Sequence, residues 1–204
     1  VLAVCGNITA DETLRLAEKW FGTIPSRTIA PRRYPRLGAI DSPRHVEARG
    51  NVPQTALTVA FRMPGYGEDG YIECDQITDI LASGHASRFY RNIMMADPLF
   101  TMADASILGS DEPGLLMLNA RLTSDVDADI ARATDRLISE ASRIWSEGVT
   151  DDELSRAHTR YESQHTFSML SYLGKAQTLA QTEMQHDDIN ALVSQYQAVT
   201  PQRL

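Results

Sequence analysis

The stretch from Gln54 to Tyr90 constrains this chain most, because it couples a strand, a tight turn and a helix whose apolar faces must be buried together. In residues 54–63 (QTALTVAFRM), Leu57, Val59 and Phe61 alternate with Thr58, Ala60 and Arg62, the period-two pattern of a half-buried strand. Pro64-Gly65-Tyr66-Gly67 ends it. The spacing of Ile72, Ile77, Ile80 and Leu81 predicts a helix over Tyr71–Ser83. A bend of small residues, 82–87 (ASGHAS), then leads into Arg88-Phe89-Tyr90. A strand followed by an amphipathic helix of this kind needs further strands and helices to close its core.

The downstream sequence provides them. A helix is expected to run on to Met95 and to break at Asp97-Pro98. Leu99–Leu108 and Gly114–Leu122, separated by Gly109-Ser110-Asp111-Glu112-Pro113, read as an antiparallel pair of strands. Asp127–Glu147 carries Ile130, Leu137, Ile138, Ala141, Ile144 and Trp145 on one helical face and stops at Gly148. Thr150-Asp151-Asp152-Glu153 is a capping box with acids at the favourable end of the dipole, opening a helix to about Leu170. Shorter helices are expected over Tyr172–Met184 and Asp187–Ala198. Upstream, Val1–Gly6 reads as a buried-type strand and Asp11–Phe21 as a helix in which Leu14, Leu16, Ala17 and Trp20 supply apolar surface. The fold class is α+β.

Between these parts the character of the chain changes. Pro25, Pro31, Pro35 and Pro43 punctuate Arg27, Arg32, Arg33, Arg36, Arg44 and Arg49, which predicts an extended linker over residues 26–51, with a candidate strand at Arg44–Arg49. The arginines read as a solvated connector or as a site for acidic partners, and the connector is the commoner role of such runs. The net charge of −8 and a pI near 5.1 exclude the basic face a nucleic-acid partner needs. Of 19 basic residues 17 are arginine, a bias suggesting a GC-rich bacterial genome. Cys5 and Cys74 lie far apart with no metal-ligand spacing and read as two buried small hydrophobes. No apolar run is long enough to span a membrane. The chain opens in strand-like sequence and closes just after a helix start, Thr200-Pro201, so the expectation is a piece of a longer polypeptide.

Few motifs carry chemistry. Gly65-Tyr66-Gly67-Glu68-Asp69-Gly70 matches the GxGxxG pattern between strand and helix, but Glu68 and Asp69 would face a pyrophosphate and no ribose-binding acid follows. The glycines read as a turn. His158 and His165 stand seven residues apart on one helix, about 10 Å along its axis at 1.5 Å per residue, too far for one zinc ion. His45, His85 and His186 are scattered. Asp151-Asp152-Glu153 and Asp187-Asp188 sit where helix starts favour negative charge.

The order of several words in the sequence nonetheless resembles one family. Val4-Cys5-Gly6-Asn7-Ile8-Thr9 followed by residues 17–25 (AEKWFGTIP), then residues 54–64, residues 80–90 (ILASGHASRFY), residues 147–154 (EGVTDDEL) and Val199-Thr200-Pro201 are similar to successive landmarks of the M16 zinc peptidases: pitrilysin, insulysin and the mitochondrial processing peptidases. Together they span nearly the whole chain. The resemblance implies an antiparallel sheet covered by helices, of the LuxS and mitochondrial processing peptidase type. Residues 1–25 would end a preceding domain, 26–51 link, and 52–204 form a second domain truncated at its C-terminus.

In such enzymes two similar halves enclose a peptide, and a His-x-x-Glu-His helix with a distant Glu binds zinc. This sequence contains no His-x-x-Glu-His, and the helix at the corresponding place, Tyr71–Ser83, has Glu73, Asp75 and Asp79 and no histidine. The resemblance therefore implies no metal ligand and no catalytic residue here; zinc would be bound by the parent protein or by a partner. It also implies a peptide or unfolded-protein substrate and a second M16 domain or subunit as partners, in periplasm or cytoplasm. Active relatives place an Arg and, seven residues on, a Tyr against the substrate; here Met94 and Thr101 occupy those places. Arg88, Tyr90 and Arg91 are the nearest residues with suitable chemistry and are the candidate substrate contacts. The alternative is a parent that has lost catalysis and serves as a binding or scaffold subunit of an M16-like complex.

Overall fold

The computed structural model describes residues 1–30 and 37–204. It divides into two compact units, one formed by Val4–Val52 and the other by Val1–Ala3 with Pro53–Leu204. Of the linker residues named above, Pro31, Arg32, Arg33, Pro35 and Arg36 lie outside the described residues.

Among the described residues the smaller unit contains one helix, α1 (Ala10–Phe21), which starts where Thr9 accepts a hydrogen bond from the Glu12 amide. Asp11 and Glu12 load its first turn with negative charge, and Arg15 pairs with Glu12. Leu14 and Trp20 are exposed and Leu16 and Ala17 half-buried, so no residue of the helix is fully covered. The strands expected at 1–6 and 44–49 do not form. A strand needs a neighbour to pair its backbone groups, and among the described residues the sheet consists of three other segments.

The larger unit is built on a sheet of β1 (Thr55–Met63), β2 (Phe100–Leu108) and β3 (Gly114–Leu122) in the order β1-β3-β2, antiparallel throughout. Strand β3 is central, paired on both sides, and is the most buried of the three. Leu116, Leu118, Ala120 and Leu122 bury one face, and Leu118 faces Val59 on one side and Ala105 on the other. The hairpin between β2 and β3 closes tightly at Gly114, where a Cβ would stand 2.4 Å from the Leu108 carbonyl oxygen.

Helix α2 (Tyr71–Ala82) packs on β2 and buries Ile77, Ile80 and Leu81, as its periodicity predicts, but also Glu73, Gln76 and Thr78. Helix α3 (Asp127–Glu147) packs against β1 and buries Ala133, Leu137, Ala141 and Ile144. Trp145, expected on that face, is exposed, since it lies a full residue step around the helix from Ile144. Helix α4 (Asp151–Ser168) opens with the expected capping box at Thr150 and packs on α2. Helices α5 (Tyr172–Met184) and α6 (Leu192–Gln197) follow and pack on α4. α6 begins later than its acids suggest, because Asp188 accepts from the Asn190 amide and holds a turn in place of helix. Among the described residues no helix is long and apolar enough to cross a membrane.

Candidate functional site

The candidate contacts lie on the segment that follows α2. Gly84 turns the chain at φ 77°. Phe89, fully buried, anchors the segment in the core, and its neighbour Arg88 is directed to the junction of α3 and α4. There the Arg88 guanidinium donates from Nε and Nη2 to the two carboxylate oxygens of Glu153, each at 2.8 Å, and from Nη2 to the Gly148 carbonyl at 2.8 Å. Glu153 also accepts from the Thr150 amide at 3.0 Å. Gly148 ends α3 at φ 78°, and Glu153 stands in the first turn of α4, so one buried ion pair fastens both helices. The Arg88 guanidinium beside it holds the Glu153 carboxyl down at about 2.

After Arg88 the chain forms a π-helical turn, Tyr90–Met94, closed by the Met95 amide donating to the Tyr90 carbonyl at 3.0 Å. Tyr90 is half-buried and stacks on His85 with ring centroids 4.5 Å apart, while Arg91 is exposed. Asn92 donates to Glu140 and its carbonyl accepts from Arg136, which ties the turn to α3. Met94 packs against the core. Thr101 stands at the start of β2 with its hydroxyl donating to the Arg121 carbonyl at 3.2 Å. Arg88, Tyr90 and Arg91 thus share one turn but have different surroundings: a buried ion pair, a half-buried ring stack, and solvent.

A second cluster escaped the sequence reading. Tyr66 donates to Asp187 at 2.6 Å and Tyr196 to Asp75 at 2.6 Å, and each pair joins residues 121 positions apart. Tyr161 stacks on Tyr196 with centroids 3.4 Å apart and planes 7° from parallel, and Tyr66 meets Tyr71 edge to face at 5.1 Å. The four tyrosines and Asp187 border a cavity of about 550 Å³. The only signal in the sequence was the glycine loop that carries Tyr66. That loop is a turn, as expected: a Cβ on Gly65 would meet the Asp111 carbonyl oxygen at 2.5 Å, and the helix it opens follows an antiparallel, not a parallel, strand.

The donor set does not fit a zinc centre. Among the described residues no three His, Cys, Asp or Glu side chains converge to hold a metal ion. On α2, Glu73 pairs with Arg203, Asp75 accepts from Tyr196, and Asp79 pairs with Arg160. His158 and His165 lie along α4, and only His165 is part of a ring stack, with Tyr161. Cys5 and Cys74 are half-buried thiols, less enclosed than the sequence suggested.

A family model described as the peptidase M16 inactive domain matches residues 1–161. The chain belongs to that family. No curated protein sequence matches it. Among solved structures, a protease from Helicobacter pylori is 14% identical and superposes with a TM-score of 0.85 over 98% of this chain and 49% of that one. The M16 chain thus spans about half the length of that protease. The periplasmic protease PqqL from Escherichia coli is 14% identical, with a TM-score of 0.70 over 97% of this chain and 22% of that one. The inactive peptidase domain of a candidate zinc protease from Bordetella parapertussis is 18% identical, with a TM-score of 0.66 over 78% of this chain and 86% of that one. At these identities the likeness is one of fold, and it agrees with the α+β class and antiparallel sheet expected from the sequence. Solved structures similar to the M16 domain include candidate zinc proteases from Bordetella.

Proposed function

We propose that this M16 inactive domain is the non-zinc half of a bacterial zinc-dependent peptidase and forms one wall of a chamber that encloses a peptide or unfolded-protein substrate. Catalysis would depend on a His-x-x-Glu-His domain upstream or in a partner subunit. The observation that carries this reading is the family match over residues 1–161 in a sequence without His-x-x-Glu-His. Within it, Tyr90 and Arg91 are the substrate contacts, since their side chains reach the surface, and Arg88 is the positioning residue that fixes the turn they stand on. The test is cleavage of a fluorogenic peptide by the pure chain, by a zinc-bearing M16 subunit, and by the two mixed. The mixture should cleave in a chelator-sensitive way and the chain alone should not. Zinc-dependent cleavage by the pure chain would overturn the proposal.

Met94 and Thr101 favour a second reading, a catalytically dead binding or scaffold subunit. Where the family resemblance calls for an Arg and a Tyr, this chain has a core-packed thioether and a hydroxyl bonded to its own sheet. A mixture that binds peptide without cleaving it would select this second reading.

A further inference from the structure

The tyrosine cavity is enclosed by the residue 66–72 segment and by α4, α5 and α6. At about 550 Å³ it falls within the range of small-ligand sites. Its permanent charges are of one sign, beside the two imidazoles of His165 and His186. Four tyrosine rings, Tyr66, Tyr71, Tyr161 and Tyr196, contribute to the lining together with the carboxylates of Glu68 and Asp187, and among the described residues no lysine or arginine does. The rings are fixed in advance: Tyr66 and Tyr196 by hydroxyls donating to Asp187 and Asp75, Tyr161 by stacking on Tyr196, and Tyr71 by its edge-to-face contact with Tyr66. Donation from Tyr66 keeps the Asp187 carboxyl below its usual range, so it is charged at neutral pH, whereas burial pushes the Tyr66, Tyr161 and Tyr196 phenols up, so they are neutral. His186, also on the lining, holds a left-handed φ of 55°, a strained conformation that tends to occur at functional positions. Aromatic faces and carboxylates attract cations and disfavour anions.

We propose that this cavity binds an organic cation, a guanidinium or ammonium group, carried either on a basic side chain of a peptide or on a free amine. The proposal needs only the cavity and is independent of the peptidase reading above.

Calorimetry on the whole chain tests it with three probes: a capped Ala-Ala-Arg-Ala-Ala peptide, the same peptide with citrulline for arginine, and agmatine. The arginine peptide or agmatine should bind, the citrulline peptide should not, and affinity should fall with added salt. The double variant Glu68→Gln/Asp187→Asn keeps oxygen acceptors for the Gly65 amide and the Tyr66 hydroxyl while removing both charges. It should weaken cation binding about tenfold, the sum expected for two partly exposed charge pairs. Should the double variant melt early, Glu68→Gln alone, at an exposed position, gives the same test with a smaller change. Tighter binding of the peptide than of agmatine identifies a peptide side chain as the source, and equal binding identifies a free cation. Citrulline binding as tightly as arginine, or no cation binding at millimolar concentration, would overturn the proposal.

Discussion

Replacing Arg88 with methionine removes the positive half of a buried pair whose side chains are only 8% and 9% exposed. The Glu153 carboxylate would then remain in a site that water hardly reaches, with only the Thr150 groups left to it. Stranding one member of such a pair costs about 3–5 kcal/mol. In a chain of this size each kcal/mol moves the melting temperature by roughly 2–4 °C, so R88M should melt about 6–20 °C lower. The pH dependence gives a second, independent reading. Glu153 titrates at about 2 in the fold against an ordinary 4.5, a difference corresponding to about 3 kcal/mol of stability. Because the folded value is the depressed one, that stability is fully present above about pH 4.5 and is lost as pH falls toward 2. E153Q, which retains an acceptor for the Thr150 amide but no charge, should lack this acid-side loss, so its stability gap to the wild type should narrow between pH 5 and pH 3. Thermal melts followed by circular dichroism across that range measure both effects. If R88M melts like the wild type while peptide binding is lost, Arg88 is a substrate ligand, not a structural tie, and the reasoning fails.

Two further perturbations probe the core and the tyrosine cluster. Leu118→Ala, at a fully buried position in the middle of the central strand, should cost about 2–5 kcal/mol in denaturant unfolding; a loss under about 1 kcal/mol would mean that the sheet face is not packed as described. Tyr161, whose phenol is pushed up to about 12 by burial, contributes stability that is present below the ordinary value of 10.0 and is lost as pH rises toward 12. Y161F should therefore reduce the alkaline destabilisation of the chain over that interval, and an unchanged alkaline melting curve would place the ring in solvent.

Elements with strong local signals were legible in the sequence. Strand β3 and helices α3 and α5 begin and end where turn residues and periodicity place them, because Pro113, Gly148 and Ser171 act on the backbone at those points whatever surrounds them. The segments 1–6 and 44–49 were misread for the opposite reason. Their alternation and apolar content are compatible with a strand, but strand formation is decided by a neighbour, and no local signal reports one. The candidate site shows the same divide. The capping box Thr150–Glu153 could be read directly, whereas the use of Glu153 by Arg88, 65 residues earlier, could not. Likewise the tyrosines of the cavity come from the turn after β1 and from α2, α4 and α6, and carry no spacing that would mark them as a group.

The acids of α2 are each engaged by partners within the domain. Glu73 pairs with Arg203 at 2.7 Å, Asp75 accepts from Tyr196 at 2.6 Å, and Asp79 pairs with Arg160 at 3.1 Å. Each partner comes from a different part of the C-terminal region: α4, α6 and the residues beyond α6. Between them, Gln76 is buried and donates to the Tyr196 carbonyl at 2.7 Å. One polar face of α2 is thus the surface on which the helical half of the domain is assembled, while its apolar face packs on the sheet. Freeing these carboxylates for a cation would leave Arg203 and Arg160 without these partners and the Tyr196 hydroxyl without this acceptor. The polar residues of α2 thus act in assembly, holding α4, α6 and the residues beyond α6 against the helix that packs on the sheet.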